Sequence, residues 1–160
     1  MRDLNSNKGI GLLELMLSII VITAIVLGAT KYYLVAREAM KVTQAQEIIN
    51  SVAEAAYKWV EGSPNWSGLS MDELVTQKGL LPSRYLGKID PWGGAEVQVS
   101  SDEDTNWFFI RFGGSASDIP DKPWKILEAK YGSCPSSFRT VDSLVSCADG
   151  DSHTFYFRAP

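Results

Sequence analysis

A single carboxylate, Glu14, lies within an apolar run of 20 residues that spans positions 10–29 and has no other ionisable side chain. A charged group at the centre of a bilayer costs roughly 2.5–3.5 kcal/mol on insertion scales, and less near the interface, where Glu14 would lie. Acids that persist in such segments usually pair with an opposite charge. We therefore predict a partner for Glu14, and the alternative is an acid that reaches the interface unpaired.

The other reactive side chains do not form a catalytic set. His153 is the only histidine, so a histidine pair for zinc cannot form within one chain. Ser152 precedes His153, but adjacency alone does not give a serine an oriented base and acid. The sequence also lacks the Gly-x-Ser-x-Gly pattern of hydrolases and the Gly-x-x-x-x-Gly-Lys loop that binds phosphates. No enzyme activity, cofactor or metal site is predicted.

Acidic residues occur in two short clusters, Asp102-Glu103-Asp104 and Asp149-Gly150-Asp151. Carboxylate oxygens are the ligands that calcium prefers, so calcium binding is one interpretation. Both clusters also coincide with predicted turns, where Asp and Gly are favoured for conformational reasons. The turn interpretation is preferred, and calcium is kept as the alternative.

The chain has two cysteines, Cys134 and Cys147, both far beyond the apolar run. If this part of the chain lies outside the cytoplasm, a disulfide is the default interpretation, and two free buried thiols are the alternative. A disulfide that closes a loop of this size stabilises a fold by about 3 kcal/mol through the entropy of the unfolded chain.

The apolar run is long enough to cross a membrane. As an α-helix, 20 residues extend about 30 Å, which matches the hydrocarbon core of a bilayer. A secretory signal cleaved near Gly28 or Ala29 is the alternative, but an apolar core of 20 residues with an acid near its start is atypical of such signals. Basic residues flank the run on both sides, so their count does not decide the orientation. The cysteine pair favours an external C-terminal part.

Composition restricts the function further. The formal net charge is −4, and without residues 1–9, which contain Arg2, Lys8 and Asp3, it is −5. An acidic chain without a basic cluster is a poor candidate for nucleic-acid binding. About 130 residues follow the apolar run, which suits one compact domain.

The segment Lys8-Gly9-Ile10-Gly11-Leu12-Leu13-Glu14-Leu15 resembles the processing site of type IV pilins and pseudopilins. The resemblance implies that a prepilin peptidase removes residues 1–9 by cutting between Gly9 and Ile10. It also implies N-methylation of the new terminus, which is usually Phe, Met or Leu in the family and is Ile10 here. Glu14 is then the fifth mature residue. Its expected partner is the ammonium group of Ile10 in a neighbouring subunit, so that Glu14 sets the axial register of assembly rather than taking part in catalysis.

A helix of about 50 residues is predicted to follow the leader, over residues 10–61, with residues 10–30 as its membrane or filament part. Tyr32 and Tyr33 lie where an aromatic belt would meet the membrane surface. A bend near Gly28 is the alternative to one continuous helix. The later part of the helix is amphipathic, and its predicted apolar stripe comprises Ala36, Met40, Ile48, Val52, Ala55, Ala56, Trp59 and Val60.

The remaining residues, 62–160, are predicted to form a globular head. A capping box at Ser70 and Glu73 begins a short helix that stops at Gly79. Strands are predicted at residues 95–100, 107–112 and 153–158, with a fourth inside the cysteine loop. A second short helix covers residues 123–131, with Trp124, Leu127 and Ala129 toward the core. The predicted class is α+β, in which a long spine helix packs on a small antiparallel sheet with short helices.

Trp66, Trp92, Trp107 and Trp124 are interpreted as packing anchors rather than as a ligand cage. The patterns around Trp66, around Gly79-Leu80-Leu81-Pro82 and around residues 89–94 look like those of type IVb pilins, and Asp90-Pro91-Trp92-Gly93 is also similar to a motif of major pseudopilins. The type IVb resemblance is incomplete, because both cysteines here fall within residues 134–147.

The resemblance implies a structural subunit that polymerises into a type IV pilus. The expected partners are further copies of the chain, the prepilin peptidase, an inner-membrane assembly platform with its own ATPase, and minor pilins. Before assembly the chain would cross the bacterial inner membrane once, with the head outside the cytoplasm, and after assembly it would be extracellular. The alternatives are a major or minor pseudopilin of type II secretion and a membrane-tethered binding protein that never polymerises.

Overall fold

A computed structural model describes residues 8–61, 65–93, 95–102, 106–113, 119–136, 138, 145–150 and 152–158, with side chains from residue 11 onward. Residues 1–7 of the predicted leader (1–9), the predicted helix-breaking residues 62–64 and the predicted acidic hairpin tip at 103–105 lie outside these ranges. The chain forms two units, Met1–Ala39 and Met40–Pro160, and the second contains the sheet.

One helix, α1, runs from Lys8–Val60 and comprises 53 residues. No proline occurs in it, and the helix is continuous at Gly28, where a bend was the alternative to a single element. All side chains from residue 11 to residue 35 are exposed. The helix therefore presents an apolar surface that none of the described residues covers.

The C-terminal part of α1 packs on the sheet of the head. Its buried positions recur at spacings of three and four, as a helix with one buried face requires: Val42, Ala45, Ile49, Val52 and Ala56. The predicted stripe was wrong at its start, because Met40 is 65% exposed. The predicted stripe also omitted Val42, Ala45 and Ile49. Small and β-branched residues lie on more than one face of this helix, and the sheet determines which of those faces is buried.

Four antiparallel strands form the sheet in the order β1-β2-β4-β3. They are β1 at Gln98–Ser101, β2 at Trp107–Arg111, β3 at Ser146–Asp149 and β4 at Thr154–Arg158. The alternation predicted for the first strand is present, with Val97 and Val99 buried and Glu96 and Gln98 exposed. The fourth strand, β3, begins at Ser146 at the end of the cysteine loop and continues beyond Cys147 to Asp149, so the predicted strand overlaps the loop only in part.

Aromatic side chains fill the space between α1 and the sheet. The Trp66 and Phe108 ring centroids are 4.5 Å apart, and Phe108 stacks on Phe157 at 5.3 Å. The Trp66 indole N–H donates to the Asn106 carbonyl at 3.2 Å, which satisfies the polar atom of a fully buried side chain. The predicted α+β architecture is therefore confirmed.

The short helical elements differ in detail from the prediction. Ser70 accepts a hydrogen bond from the Glu73 amide at 3.1 Å, as the capping box predicts. The helix then widens into a π-turn at Glu73–Gln77, in which the Lys78 amide donates to the Glu73 carbonyl. It ends at Gly79, whose φ of +61° is in the left-handed region.

The second helix, α2, covers Asp121–Tyr131 and buries Pro123, Trp124 and Leu127. The prediction that Ala129 faces the core was wrong, because Ala129 is exposed. Ala129 is two positions after Leu127, and a helix turns about 200° over that distance. Leu127 and Ala129 therefore cannot share one face.

Candidate functional site

The described chain contains one helix that is long and apolar enough to cross a membrane by length and composition. Its most apolar window has a mean hydropathy of 2.5, and none of that window is buried. The exposed side chains are large, with Leu13 at 70% and Ile20 at 66%. A surface of this kind is stable only against lipid or against another apolar surface.

Three hydroxyl groups interrupt the apolar segment, and each bonds to its own helix. Ser18 donates to the Glu14 carbonyl at 2.9 Å, Thr23 to the Ile19 carbonyl at 2.7 Å and Thr30 to the Val26 carbonyl at 2.8 Å. Within lipid, polar groups must be satisfied inside the protein. These internal bonds therefore lower the cost of burying the segment.

The Glu14 carboxylate differs from these hydrogen-bonded hydroxyl groups. The Glu14 side chain is exposed, and no described residue forms a hydrogen bond or an ion pair with its carboxylate. Gly9 and Ile10 belong by their backbone to the first turn of α1, and the side chain of Ile10 lies outside the described part of the chain. Cleavage between them, and methylation of Ile10, stay predictions.

A disulfide joins Cys134 to Cys147, the pairing that the sequence predicts. Cys147 is fully buried on the face of the sheet opposite α1, in a cluster with Trp107 and Tyr156. Phe138 covers this cluster, with its ring centroid 4.7 Å from that of Tyr156 and 5.4 Å from that of Trp107. The disulfide is therefore part of a second, smaller core.

The tryptophans of the head act as packing residues. Trp66 and Trp107 are fully buried and Trp124 is 6% exposed, so their ring faces are not accessible to a ligand. Trp92 is partly buried and packs edge-on against Phe112 at 6.1 Å. A ligand cage would require accessible ring faces.

The described residues include no group of three His, Cys, Asp or Glu side chains that could hold a metal ion. In the second acidic cluster, the Ser152 hydroxyl donates to the Asp149 carboxylate at 2.6 Å, which is the geometry of a turn. Glu103, Asp104 and Asp151 lie outside the described ranges. The calcium alternative therefore has no structural support among the described residues.

The burial of Asp90, which is 4% exposed, was not predicted from the sequence. Its Oδ1 accepts a hydrogen bond from the Trp92 amide at 2.9 Å, and its own amide donates to the Ala95 carbonyl at 3.2 Å. The sequence motif Asp-Pro-x-Gly predicts such a turn, because an Asp side chain can accept a hydrogen bond from the amide two residues later. It does not predict burial, which depends on the neighbouring elements.

A groove of about 440 Å³ in the head was also not predicted from the sequence. Two tyrosines line it, and both hydroxyls are hydrogen-bonded: Tyr131 donates to Asn50 Oδ1 at 3.0 Å and Tyr57 donates to the Arg158 carbonyl at 3.2 Å. Burial raises the pKa of Tyr57, and it raises the pKa of Tyr131 from 10.0 to about 12.

These shifts predict a loss of stability in alkali. Between pH 10 and about 12 the unfolded chain releases the Tyr131 proton while the folded chain keeps it, so the free energy of unfolding falls as pH rises. Tyr131→Phe should make this decline shallower, as measured by urea unfolding across that pH window. Tyr32→Phe is the control, because Tyr32 is 78% exposed. Equal pH slopes for Tyr131→Phe and the unsubstituted chain would refute the assignment.

The candidate site is therefore the exposed apolar segment of α1 with Glu14 as its one charge. Its large exposed apolar side chains give it the chemistry of an interaction surface. No family model, curated protein or solved structure matches the chain in comparisons with known proteins.

Proposed function

We propose that this chain is a pilin, a structural subunit that is processed by a prepilin peptidase and polymerises into a type IV pilus. The observation that carries the proposal is an exposed apolar helical segment whose single carboxylate, Glu14, has no partner among the described residues. A partner must then come from outside those residues. In a polymer, every subunit can supply it to the next.

The apolar segment suits a chain that lies first in the membrane and later in the filament. Burying one leucine or isoleucine side chain contributes about 1.5–3 kcal/mol, and residues 11–29 include nine such side chains. Lipid buries them before assembly, and the same surface of other subunits buries them in the filament. The chain thus passes from a single-pass inner-membrane protein, with its head outside the cytoplasm, to an extracellular filament.

Glu14 determines the axial offset at which the apolar helices of neighbouring subunits pack. Cleavage after Gly9 creates an ammonium group at Ile10, which would be costly in an apolar filament core without a counter-charge. Pairing Glu14 of one subunit with Ile10 of its neighbour neutralises both groups. Apolar contacts alone permit many axial offsets between parallel helices, whereas this ion pair forms at one of them.

The head forms the outer surface of the filament in this proposal. Its disulfide is typical of proteins outside the cytoplasm. No nucleotide-binding motif occurs in the chain, so the energy of assembly would come from the separate ATPase of the inner-membrane platform. Minor pilins are expected as additional partners.

A pseudopilin of type II secretion is the second candidate. The Asp90 turn favours it, because the sequence Asp90-Pro91-Trp92-Gly93 resembles the major pseudopilins and the turn is folded around a buried carboxylate. A pseudopilin would use the same apolar segment and the same Glu14 chemistry. The two candidates differ in where the polymer occurs.

Shearing filaments from intact cells and identifying their repeating component by mass spectrometry tests the proposal. We expect this chain as the major component of the sheared fraction. Recovery only in a periplasmic polymer would favour the pseudopilin. Recovery only as unpolymerised protein in membranes would refute both and would favour a tethered binding protein.

A further inference from the structure

Beyond the apolar segment, α1 continues with two cations and two tyrosines: Lys31, Tyr32, Tyr33 and Arg37, here called the juxtamembrane segment. Tyr32 and Tyr33 are 78% and 64% exposed, and the Lys31 and Arg37 side chains are exposed as well. Tyrosine rings favour the boundary between hydrocarbon and headgroups. When residues 11–30 span a membrane, this segment meets the headgroup layer.

The two cations are free to bind a ligand. Neither Lys31 nor Arg37 forms an ion pair with any described residue. Glu38, the nearest acid in sequence, likewise forms none, and it is the charge that opposes anion binding here. The juxtamembrane segment and Glu38 together carry a net charge of +1, from two cations and one anion.

We propose that the juxtamembrane segment binds the phosphate groups of anionic phospholipids on the side of the membrane where the head lies. A lysine or arginine near an anionic membrane surface gains roughly a five-fold preference for anionic lipid. Lys31 lies at the end of the apolar segment, where a long side chain reaches the phosphates with its ammonium group. Zwitterionic lipids lack the net negative charge that would draw both cations.

Helix geometry places Arg37 within reach of the same layer. It lies six residues after Lys31, about 9 Å farther along the axis. The headgroup layer is roughly 5–7 Å thick, but helical side chains lean toward the N-terminus, so the Arg37 side chain leans back toward the lipid. Its guanidinium can hold a phosphate through two parallel hydrogen bonds.

Quenching of an introduced tryptophan by brominated lipids measures this preference. Tyr32→Trp supplies the probe, and the full chain is reconstituted into vesicles of equimolar phosphatidylcholine and phosphatidylglycerol. Bromine is carried by the phosphatidylglycerol in one preparation and by the phosphatidylcholine in the other, so the surface charge is the same in both. The chain without Tyr32→Trp gives the contribution of its own five tryptophans, which is subtracted.

Brominated phosphatidylglycerol is expected to quench the introduced tryptophan more strongly, with an apparent enrichment of roughly two- to five-fold. Lys31→Gln combined with Arg37→Gln should return the ratio to one, and Glu38→Gln should raise it. Lys58→Gln is the matched control, because it removes a cation that is already paired with Glu54 in the head. Replacing chloride with inorganic phosphate at constant ionic strength should leave the enrichment unchanged.

Equal quenching by the two lipids would overturn the inference, as would an enrichment that survives the double substitution. A ratio that collapses in inorganic phosphate would show a site for the free anion rather than for lipid, and absence of any quenching would show that the chain does not insert. The inference requires membrane insertion and does not require polymerisation. Enrichment without filaments therefore refutes only the proposed pilin function, and filaments without enrichment refute only the lipid site.

Discussion

Replacing Glu14 with glutamine is expected to abolish filaments while the chain stays cleaved and membrane-bound. The substitution keeps the size of the side chain and removes its charge, so the apolar surface that inserts into lipid is unchanged. In the filament, the Ile10 ammonium of the neighbouring subunit would lose its counter-charge in an apolar core. Removing one partner of a buried ion pair costs about 3–5 kcal/mol, which corresponds to a fall in filament yield of at least roughly 100-fold.

Sheared filaments and membrane fractions from cells expressing Glu14→Gln provide the measurement, and Glu14→Val should behave in the same way. Glu47→Gln is the matched control, because it makes the same chemical change at an exposed position of α1 within the head. It should assemble normally. Filaments of normal abundance from Glu14→Gln would show that the carboxylate does not set the register.

Loss of the disulfide is expected to remove a large share of the stability of the head. Cys134 and Cys147 are 13 residues apart, and a loop of about that length contributes about 3 kcal/mol through the unfolded-state entropy. Single domains are stable by about 5–15 kcal/mol in total. The double substitution of both cysteines by alanine should therefore lower the free energy of unfolding by about 3 kcal/mol.

Urea unfolding of the full chain in detergent, followed by tryptophan fluorescence, measures this loss. The reduced chain without substitutions is the control that separates the bond from the side chains, and it should lose a similar amount. The Cys134 amide donates to the Ala148 carbonyl, and the Ala148 amide donates to the Gly132 carbonyl. Neither backbone hydrogen bond requires the disulfide, so both should survive reduction. A change smaller than about 1 kcal/mol in both proteins would contradict the expectation.

The features predicted correctly from the sequence are those that local chemistry determines. A long, mainly apolar run without proline indicates a helix through residues 11–30, and Ser70 caps the Glu73 amide because a hydroxyl three residues before an amide can reach it. Alternation places Val97 and Val99 on one face of the strand region before β2. Each of these requires only neighbours in sequence.

The features that were missed depend on packing between distant segments. Val42 and Ile49 are buried and Met40 is exposed because the sheet covers one face of α1, and several faces of that helix carry apolar residues. The π-turn at Glu73–Gln77 and the burial of Asp90 likewise depend on segments that surround them. The groove between Tyr57 and Tyr131 joins residues 74 positions apart, and no local pattern predicts it.

Most features of the candidate site, in contrast, could be predicted from the sequence. Glu14 and its apolar surroundings are evident from the sequence, because one acid in an apolar run is a local feature. The structure adds that the segment is helical, that its hydroxyls are satisfied internally and that no described residue pairs with Glu14. The partner belongs to a second molecule in this account, so one chain cannot contain it.

Mass spectrometry of the membrane fraction determines the mature N-terminus of the protein, on which the proposed role of Glu14 depends. We expect a chain that begins at Ile10, because only cleavage after Gly9 creates the ammonium group that Glu14 is proposed to bind. An N-methyl group on Ile10 would support the family resemblance further. A chain that begins near Ala29, or that retains residues 1–9, would rule out the pairing of Glu14 with an Ile10 ammonium group.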